Sequence, residues 1–209
     1  MKKYTLLLAM LFIASTANAG LTGLGFGVHG GIVSGYDNPG LELGVVGGLS
    51  DYFGETIEIE MPDDMKNIGG HVIIGTLRVI EFDASIDYSW QKKTLFETAE
   101  LRFSDLSISG SVRKSIPLAI LKPYVGAGLG MHIMGYTLEA DDQVIPLVDP
   151  NTTVEDESVI GFHFKAGVAL DFPVFPLTPF VEWKYNSIKT SDESSKYSQV
   201  NLGITLDLP

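Results

Sequence analysis

Residues 160–172 read IGFHFKAGVALDF, and every second side chain is apolar. Ile160, Phe162, Phe164, Ala166, Val168, Leu170 and Phe172 share one parity, while Gly161, His163, Lys165, Gly167, Ala169 and Asp171 share the other. A period of two places these sets on opposite faces of a β-strand. The same alternation recurs along the chain between turn signals, which predicts an all-β protein. The fold then depends on which face meets water.

The first nineteen residues bear on that choice. Met1-Lys2-Lys3 is a basic start, Leu6 to Ile13 an apolar run, and Ala17-Asn18-Ala19 a small-x-small cleavage site. This is the tripartite pattern of a secretory signal peptide, with an apolar run too short to span a bilayer as a helix. Export of residues 20–209 is expected, a mature chain of 209 − 19 = 190 residues and one domain. The chain has no cysteine, so an exported form carries no disulfides. With 14 Lys+Arg and 26 Asp+Glu, losing Lys2 and Lys3 leaves 12 − 26 = −14. That surplus argues against nucleic-acid or anionic-lipid attraction as the function, and no nucleic acid is expected as a partner. No apolar run of about 18 residues follows the signal, so a membrane is entered as strands or not at all.

The alternation predicts eight strands, at Leu21–Ser34, Ile68–Val79, Ile80–Gln91, Thr98–Lys114, Lys122–Glu139, Ser158–Phe172, Leu177–Ile188 and Lys196–Leu208. In the fourth, Leu101 and Phe103 are odd while Leu106, Ile108 and Val112 are even, and a β-bulge near Ser104–Asp105 is expected to reconcile them. Short links at Arg78–Glu81, Ser115–Leu121 and Pro173–Pro176 alternate with polar ones at Gly35–Asn67, Lys92–Glu97, Ala140–Glu157 and Lys189–Ser195. Short turns at one end and longer loops at the other are the habit of an outer-membrane barrel. Within the first long link, LELGVVGGLS (41–50) and TIEIEM (56–61) also alternate, which keeps a ten-stranded alternative open.

The polar parity decides between the faces. A soluble barrel would turn its apolar parity inward and carry long charges outside. Here the polar parity holds Gly25, Gly27, Gly31, Gly126, Gly128, Gly130, Gly161 and Gly167, and 23 of 209 residues are Gly, above the average of about 7%. Small residues alternating with large ones suit the narrow inside of an eight-stranded barrel. The same parity carries charges of both signs: Glu81, Asp83, Asp87, His163, Lys165, Asp171, Glu182 and Lys184. These are the candidates for a polar network in the lumen, where pairing is the least costly way to hold them. Tyr88, Trp90, Phe172, Trp183 and Tyr185, on the apolar parity near strand ends, suit interfacial girdles.

GFGVHGGIV, GGHVIIGTLRVIEFDASIDYSW and LKPYVGAGLGMHIM resemble the small bacterial outer-membrane β-barrels, a group that includes the OmpA-like transmembrane domain, OmpW-like proteins and opacity-type surface proteins. The resemblance covers most of the mature chain and implies a closed antiparallel up-and-down barrel with periplasmic termini, inserted into outer-membrane lipid by the barrel-assembly machinery. Such barrels usually end in an aromatic residue, whereas this chain ends Asp207-Leu208-Pro209.

Other motifs carry less. Gly25-Phe26-Gly27-Val28-His29-Gly30 matches a dinucleotide fingerprint but lies inside a strand with no helix after it. His29, His71, His132 and His163 fall on inward parities without metal-ligand spacing, which suits packing and hydrogen bonding. Ser158 and His163 face opposite sides of one strand, and Ser187 or Ser198 would reach His163 only through strand register, so an esterase has little support. The loop carboxylates Asp63-Asp64, Asp141-Asp142, Asp149 and Glu155-Asp156-Glu157 lack a calcium-loop spacing. Asn151-Thr152-Thr153 matches a glycosylation acceptor, which means little in a bacterial export product. The expectation is a non-enzymatic envelope or surface-interaction barrel without cofactor or metal, its acidic loops offered to a surface ligand. The alternatives are a narrow OmpW-like channel for small hydrophobic molecules and a lipid-modifying enzyme.

Overall fold

A computed structural model describes residues 23–37, 64–77, 80–96, 99–140, 143–146, 158–172, 175–189 and 194–208. The leader at 1–19 and the segments 41–50 and 56–61 lie outside the described residues. Among those described, nine strands follow in order: β1 Gly23–Asp37, β2 Asp64–Leu77, β3 Ile80–Phe96, β4 Ala99–Ser115, β5 Leu121–Ala140, β6 Gln143–Pro146, β7 Ser158–Leu170, β8 Leu177–Lys189 and β9 Ser194–Leu208.

Each barrel strand pairs antiparallel with its neighbours, β1 with β9 and β4 with β5 among them, so the sheet closes on itself. The short β6 pairs only with the far end of β5, from Thr137↔Pro146 to Ala140↔Gln143, and stands outside the ring. Eight strands therefore make the barrel. β1 and β2 pair without interruption from Gly23↔Gly75 to Ser34↔Asp64, which leaves no gap in the ring for a further hairpin. Closure pairs backbone groups between strands without a free edge, the condition for a sheet to stand in hydrocarbon.

The apolar parity faces out. Val28, Ile160 and Leu202 are 68%, 68% and 67% exposed, while Asn201, Asp87 and Lys184 are 1%, 3% and 4% exposed. An inside-out distribution of this kind fits a barrel whose outer surface meets lipid tails. In water the same surface would be an apolar patch far larger than a soluble monomer tolerates. Polar side chains fill the inside, and aromatic rings lie across its glycines. An ideal Cβ at Gly203 would sit 2.5 Å from the Phe180 ring, and one at Gly167 would sit 2.5 Å from that of Tyr124. Glycine is what lets each ring lie flat against the neighbouring strand.

The barrel termini share the end of the short turns, where Leu24 pairs with Leu208. The β4–β5 turn is tied by Leu118 N–H to Leu121 O at 2.7 Å and its reciprocal at 2.9 Å, with Ala119 in the left-handed region at φ 53°.

Three expectations about the strands need correction. There is no bulge at Ser104–Asp105: the β3–β4 register runs straight through Trp90↔Ser104 and Ser89↔Asp105, as does β4–β5. Phe103 is not an outward residue out of step. It points inward, 2% exposed, into an apolar cluster at the loop end. The Lys92–Glu97 link is mostly strand, since β3 and β4 stay paired to Phe96↔Ala99. Both faces of a hairpin that outruns the barrel meet water, so its polarity stops alternating and the period-two signal fades. The Ala140–Glu157 link likewise contains β6, folded back on β5. Among the described residues the last β2–β3 pair is Lys66↔Trp90, and the β5–β7 pairing runs to Ile133↔Ser158. On the β2 side the β3–β4 pairing thus continues beyond the last β2–β3 pair, to Phe96↔Ala99.

Candidate functional site

The inward faces of β3, β4, β5, β7, β8 and β9 stack their polar groups in tiers along the barrel axis. Nearest the short turns, Glu81 on β3 accepts from Arg113 Nε at 2.5 Å and from Lys122 Nζ at 2.6 Å. The guanidinium of Arg113 also lies 3.8 Å from Asp83 and 4.6 Å over the Tyr124 ring. Lys165 on β7 donates to Asp83 at 2.5 Å and stands 3.7 Å from Glu182, which also accepts the Tyr124 hydroxyl at 3.0 Å. All of these ions but the half-buried Lys122 are buried, and each has an opposite charge within reach. Charges enclosed by a barrel wall persist only on that condition.

Asp87 organises the middle tier. Lys184 Nζ donates to it at 3.2 Å, Gln199 at 3.3 Å and Ser85 Oγ at 3.1 Å, and His29 Nε2 lies 2.6 Å away. His71 stacks on His29 with ring centroids 5.7 Å apart, and its Nε2 meets Thr205 Oγ1 at 3.0 Å. His163 pairs with Ser111 at 2.7 Å. Towards the loop end, His132 Nδ1 lies 3.1 Å from Asp105, which also accepts the Tyr197 hydroxyl at 3.4 Å. Above this, Val33, Met65, Phe103, Val159, Ile188 and Tyr197 pack into an apolar lid.

Of the residues singled out from the sequence, Glu81, Asp83, Asp87, His163, Lys165, Glu182 and Lys184 are all buried inside the barrel. Asp171 is not brought in. β7 ends at Leu170, so Asp171 is exposed beyond it and borders a vestibule at the turn end. Arg113, Lys122, Tyr124, Asp105 and Gln199 belong to the tiers as well. Arg113 shares its odd parity with Ser107, Ser109 and Ser111, a signal that was available in the sequence.

Space decides what this arrangement can do. The vestibule between Glu81, Arg113, Lys122, Asp171 and Asp207 measures about 310 Å³. Deeper, among His29, His71, Asp87, Lys165 and Lys184, the void falls to about 10 Å³. That is roughly the least volume that admits a single water. Ser111 and His163 form a hydroxyl–imidazole pair, both buried inside the barrel. Ser187 is buried one strand away, opposite Phe162, and Ser198 is on the outward parity of β9. Among the described residues no three His, Asp or Glu side chains converge as a metal site.

The chain matches no family model and no curated protein. Solved barrels share its fold. Neisserial surface protein A is 14% identical with a TM-score of 0.51, the match covering 90% of this chain and 98% of that one. Ail, the attachment invasion locus protein of Yersinia pestis, was solved in complex with the heparin analogue sucrose octasulfate. It is 9% identical with a TM-score of 0.53, covering 89% of this chain and 99% of Ail. A second Ail structure gives 11% identity, a TM-score of 0.51 and coverage of 89% and 97%.

Proposed function

We propose that this chain, which has the eight-stranded fold of small outer-membrane barrels, is an exported, integral outer-membrane protein without enzymatic activity. Its lumen acts as an internal brace, and its working surface is the loop end, where it serves envelope integrity or a surface ligand. The observation that carries this reading is the sealed interior. A passage along the axis would have to cross an ionic tier, a void of about 10 Å³ and an apolar lid. Nothing in that path resembles a conduit for a hydrophobic solute, and the vestibule at its mouth is lined by charge.

The apolar outer surface and the paired closure of the ring support insertion in a membrane, and the leader pattern supports export. The character of the loops narrows the ligand. The link at 38–63 holds Glu42, Asp51, Glu55, Glu58, Glu60 and Asp63 with no Lys or Arg, and 141–157 is equally one-sided. A polyanion such as the one bound by Ail would be repelled there, so the expected loop partner is cationic or neutral.

Planar-bilayer recording tests the brace. The purified barrel is expected to give no discrete conductance steps, and regular steps from a homogeneous preparation would refute it. Gel migration of the membrane fraction with and without boiling tests insertion as a closed barrel. A heat-dependent shift is expected, and a band that does not move, or a signal-less chain that folds without detergent, would count against the membrane.

A further inference from the structure

We propose that the vestibule at the turn end binds a small zwitterion, an amino acid or dipeptide whose carboxylate meets Arg113 and Lys122 and whose ammonium meets Asp171 and Asp207. The site opens on the end that the outer-membrane reading places in the periplasm, and it adds a ligand to that reading. Glycine makes the room. On the wall formed by β1 and β2, Gly23 pairs with Gly75 and Gly25 with Ile73, so three of these four inward positions carry no side chain. A Cβ built on Gly23 would meet nothing within 4 Å. The resulting space of about 310 Å³ is at the small end of cavities that hold organic ligands.

The remaining walls carry polar groups with capacity to spare. Arg113 is buried, and its Nε is taken up by Glu81. One face of the guanidinium lies over the Tyr124 ring, and Nη1 stands 3.8 Å from Asp83, beyond hydrogen-bond reach. Among the described residues neither Nη group has a hydrogen-bond acceptor. Lys122 Nζ donates to Glu81 and has further donors left. Asp207 accepts from Thr178 at Oδ2, 2.6 Å away, while its Oδ1 leans over Gly25, 3.0 Å from where a Cβ would sit. Asp171 is fixed by its backbone, whose N–H donates to Ile120 O at 2.9 Å. Its exposed carboxylate has no partner among the described residues.

Depth sorts these groups. Buried Arg113 and half-buried Lys122 lie within, and exposed Asp171 and Asp207 lie at the rim. Counting Arg113 and Lys122 against Glu81, Asp171 and Asp207, the lining sums to 2 − 3 = −1. A bare anion would have to pass the rim carboxylates to reach cations that already share Glu81. A bare cation would leave the guanidinium N–H groups unfilled, which costs most where water is scarce. A molecule with an ammonium at one end and a carboxylate at the other satisfies both sets. The planar guanidinium takes a carboxylate through two parallel N–H groups.

The test uses the whole exported chain in phosphatidylcholine nanodiscs, with isoleucine methyls labelled for NMR. Ile73 lines the vestibule, and Ile188 lies in the apolar lid at the far end. Titration with alanylalanine is expected to give a saturable shift at Ile73 and none at Ile188. N-acetyl-alanylalanine and alanylalanine amide, each lacking one charge, should bind about tenfold more weakly. Asp171→Asn should weaken the free dipeptide about threefold, the size of an exposed ion pair, and leave the N-acetylated one unchanged. Arg113→Lys keeps a charge beside Glu81 but should lose about tenfold on each probe that carries a carboxylate. Gly23→Val, which has room for its Cβ, should fill the space and abolish binding. Lys114→Gln, outward at the same end, should change nothing. No saturable shift at Ile73, equal binding of the dipeptide and its capped forms, or unchanged binding in Gly23→Val would overturn the site. Heat-dependent migration separates the two readings. A shifting barrel that binds no dipeptide sinks only the site, and one that binds it without shifting sinks only the membrane.

Discussion

Lys165→Met isolates the central claim about the lumen, that its charges are held by one another. Lys165 and Asp83 are each 5% exposed, with Nζ 2.5 Å from Oδ2. At an effective dielectric of about 20, that separation gives a gross attraction of roughly 7 kcal/mol. Desolvation of both ions opposes most of it, so the intact pair contributes little net stability. Removing one partner is different, because Asp83 keeps its desolvation cost and loses its nearest cation. The expected loss is about 3 kcal/mol, at the lower end of the usual 3–5, because Arg113 remains 3.8 Å from the same carboxylate. Asp83→Asn combined with Lys165→Met should return to within about 1 kcal/mol of the parent, a coupling of at least about 2 kcal/mol. Urea unfolding in lipid vesicles measures this, read by the gel shift and by the fluorescence of Trp90 and Trp183 on the outer wall. A single variant losing under about 1 kcal/mol, or a double variant losing the sum of its parts, would refute the reasoning.

Leu202, 67% exposed and paired with Gly30 at the middle of β1, sits at mid-height of the outer wall, and in the proposed membrane setting Leu202→Arg should cost about 2–4 kcal/mol, against about 0–1 for Leu208→Arg at the turn-end rim. Equal costs in vesicle unfolding would contradict the depth assignment. Gly203→Ala places a Cβ where the Phe180 ring lies and should cost about 1–3 kcal/mol, with Phe180→Leu in the same chain recovering part of it. No recovery in the double variant would mean that ring and glycine do not bear on each other. Thr205 is 3% exposed and within 3.0 Å of His71, so Thr205→Arg, though on the inner face, should destabilise by overpacking, with partial relief from His71→Ala. Relief would be seen as a higher urea midpoint, and its absence would argue against direct contact.

The ring of eight strands was legible in the sequence because a wall with apolar side chains outside and polar groups inside enforces strict alternation. Runs such as 160–172 and 200–208 therefore show both strand and face at once. The signal failed where that constraint ends. At 91–103 the paired hairpin runs beyond the last β2–β3 pair, and exposed Lys92 and Thr94 carry no apolar side chain that would mark the face in the sequence. Phe103 misled in the opposite way, since an aromatic residue aimed inward belongs to the lid of the lumen and not to its outer wall. Parity placed Lys165 and Glu182 inside, but only register reveals that Lys165 chooses Asp83 from a strand 82 residues away in sequence. Pairings of that separation are set by closure of the ring, which no local pattern encodes.

The balance of ions within the wall has a consequence for behaviour in salt. Among the described residues Glu81, Asp83, Asp87, Asp105 and Glu182 are buried with Arg113, Lys165 and Lys184, five anions against three cations, and half-buried Lys122 pairs with Glu81 at the vestibule. With Lys122 counted, these groups sum to −1, a small part of the chain total of −12. At about 0.15 M ionic strength the screening length is only about 8 Å. Raising it further should weaken whatever the protein attracts at the cell surface and leave its resistance to unfolding almost unchanged. Adhesion and durability would then answer to different variables in one small molecule.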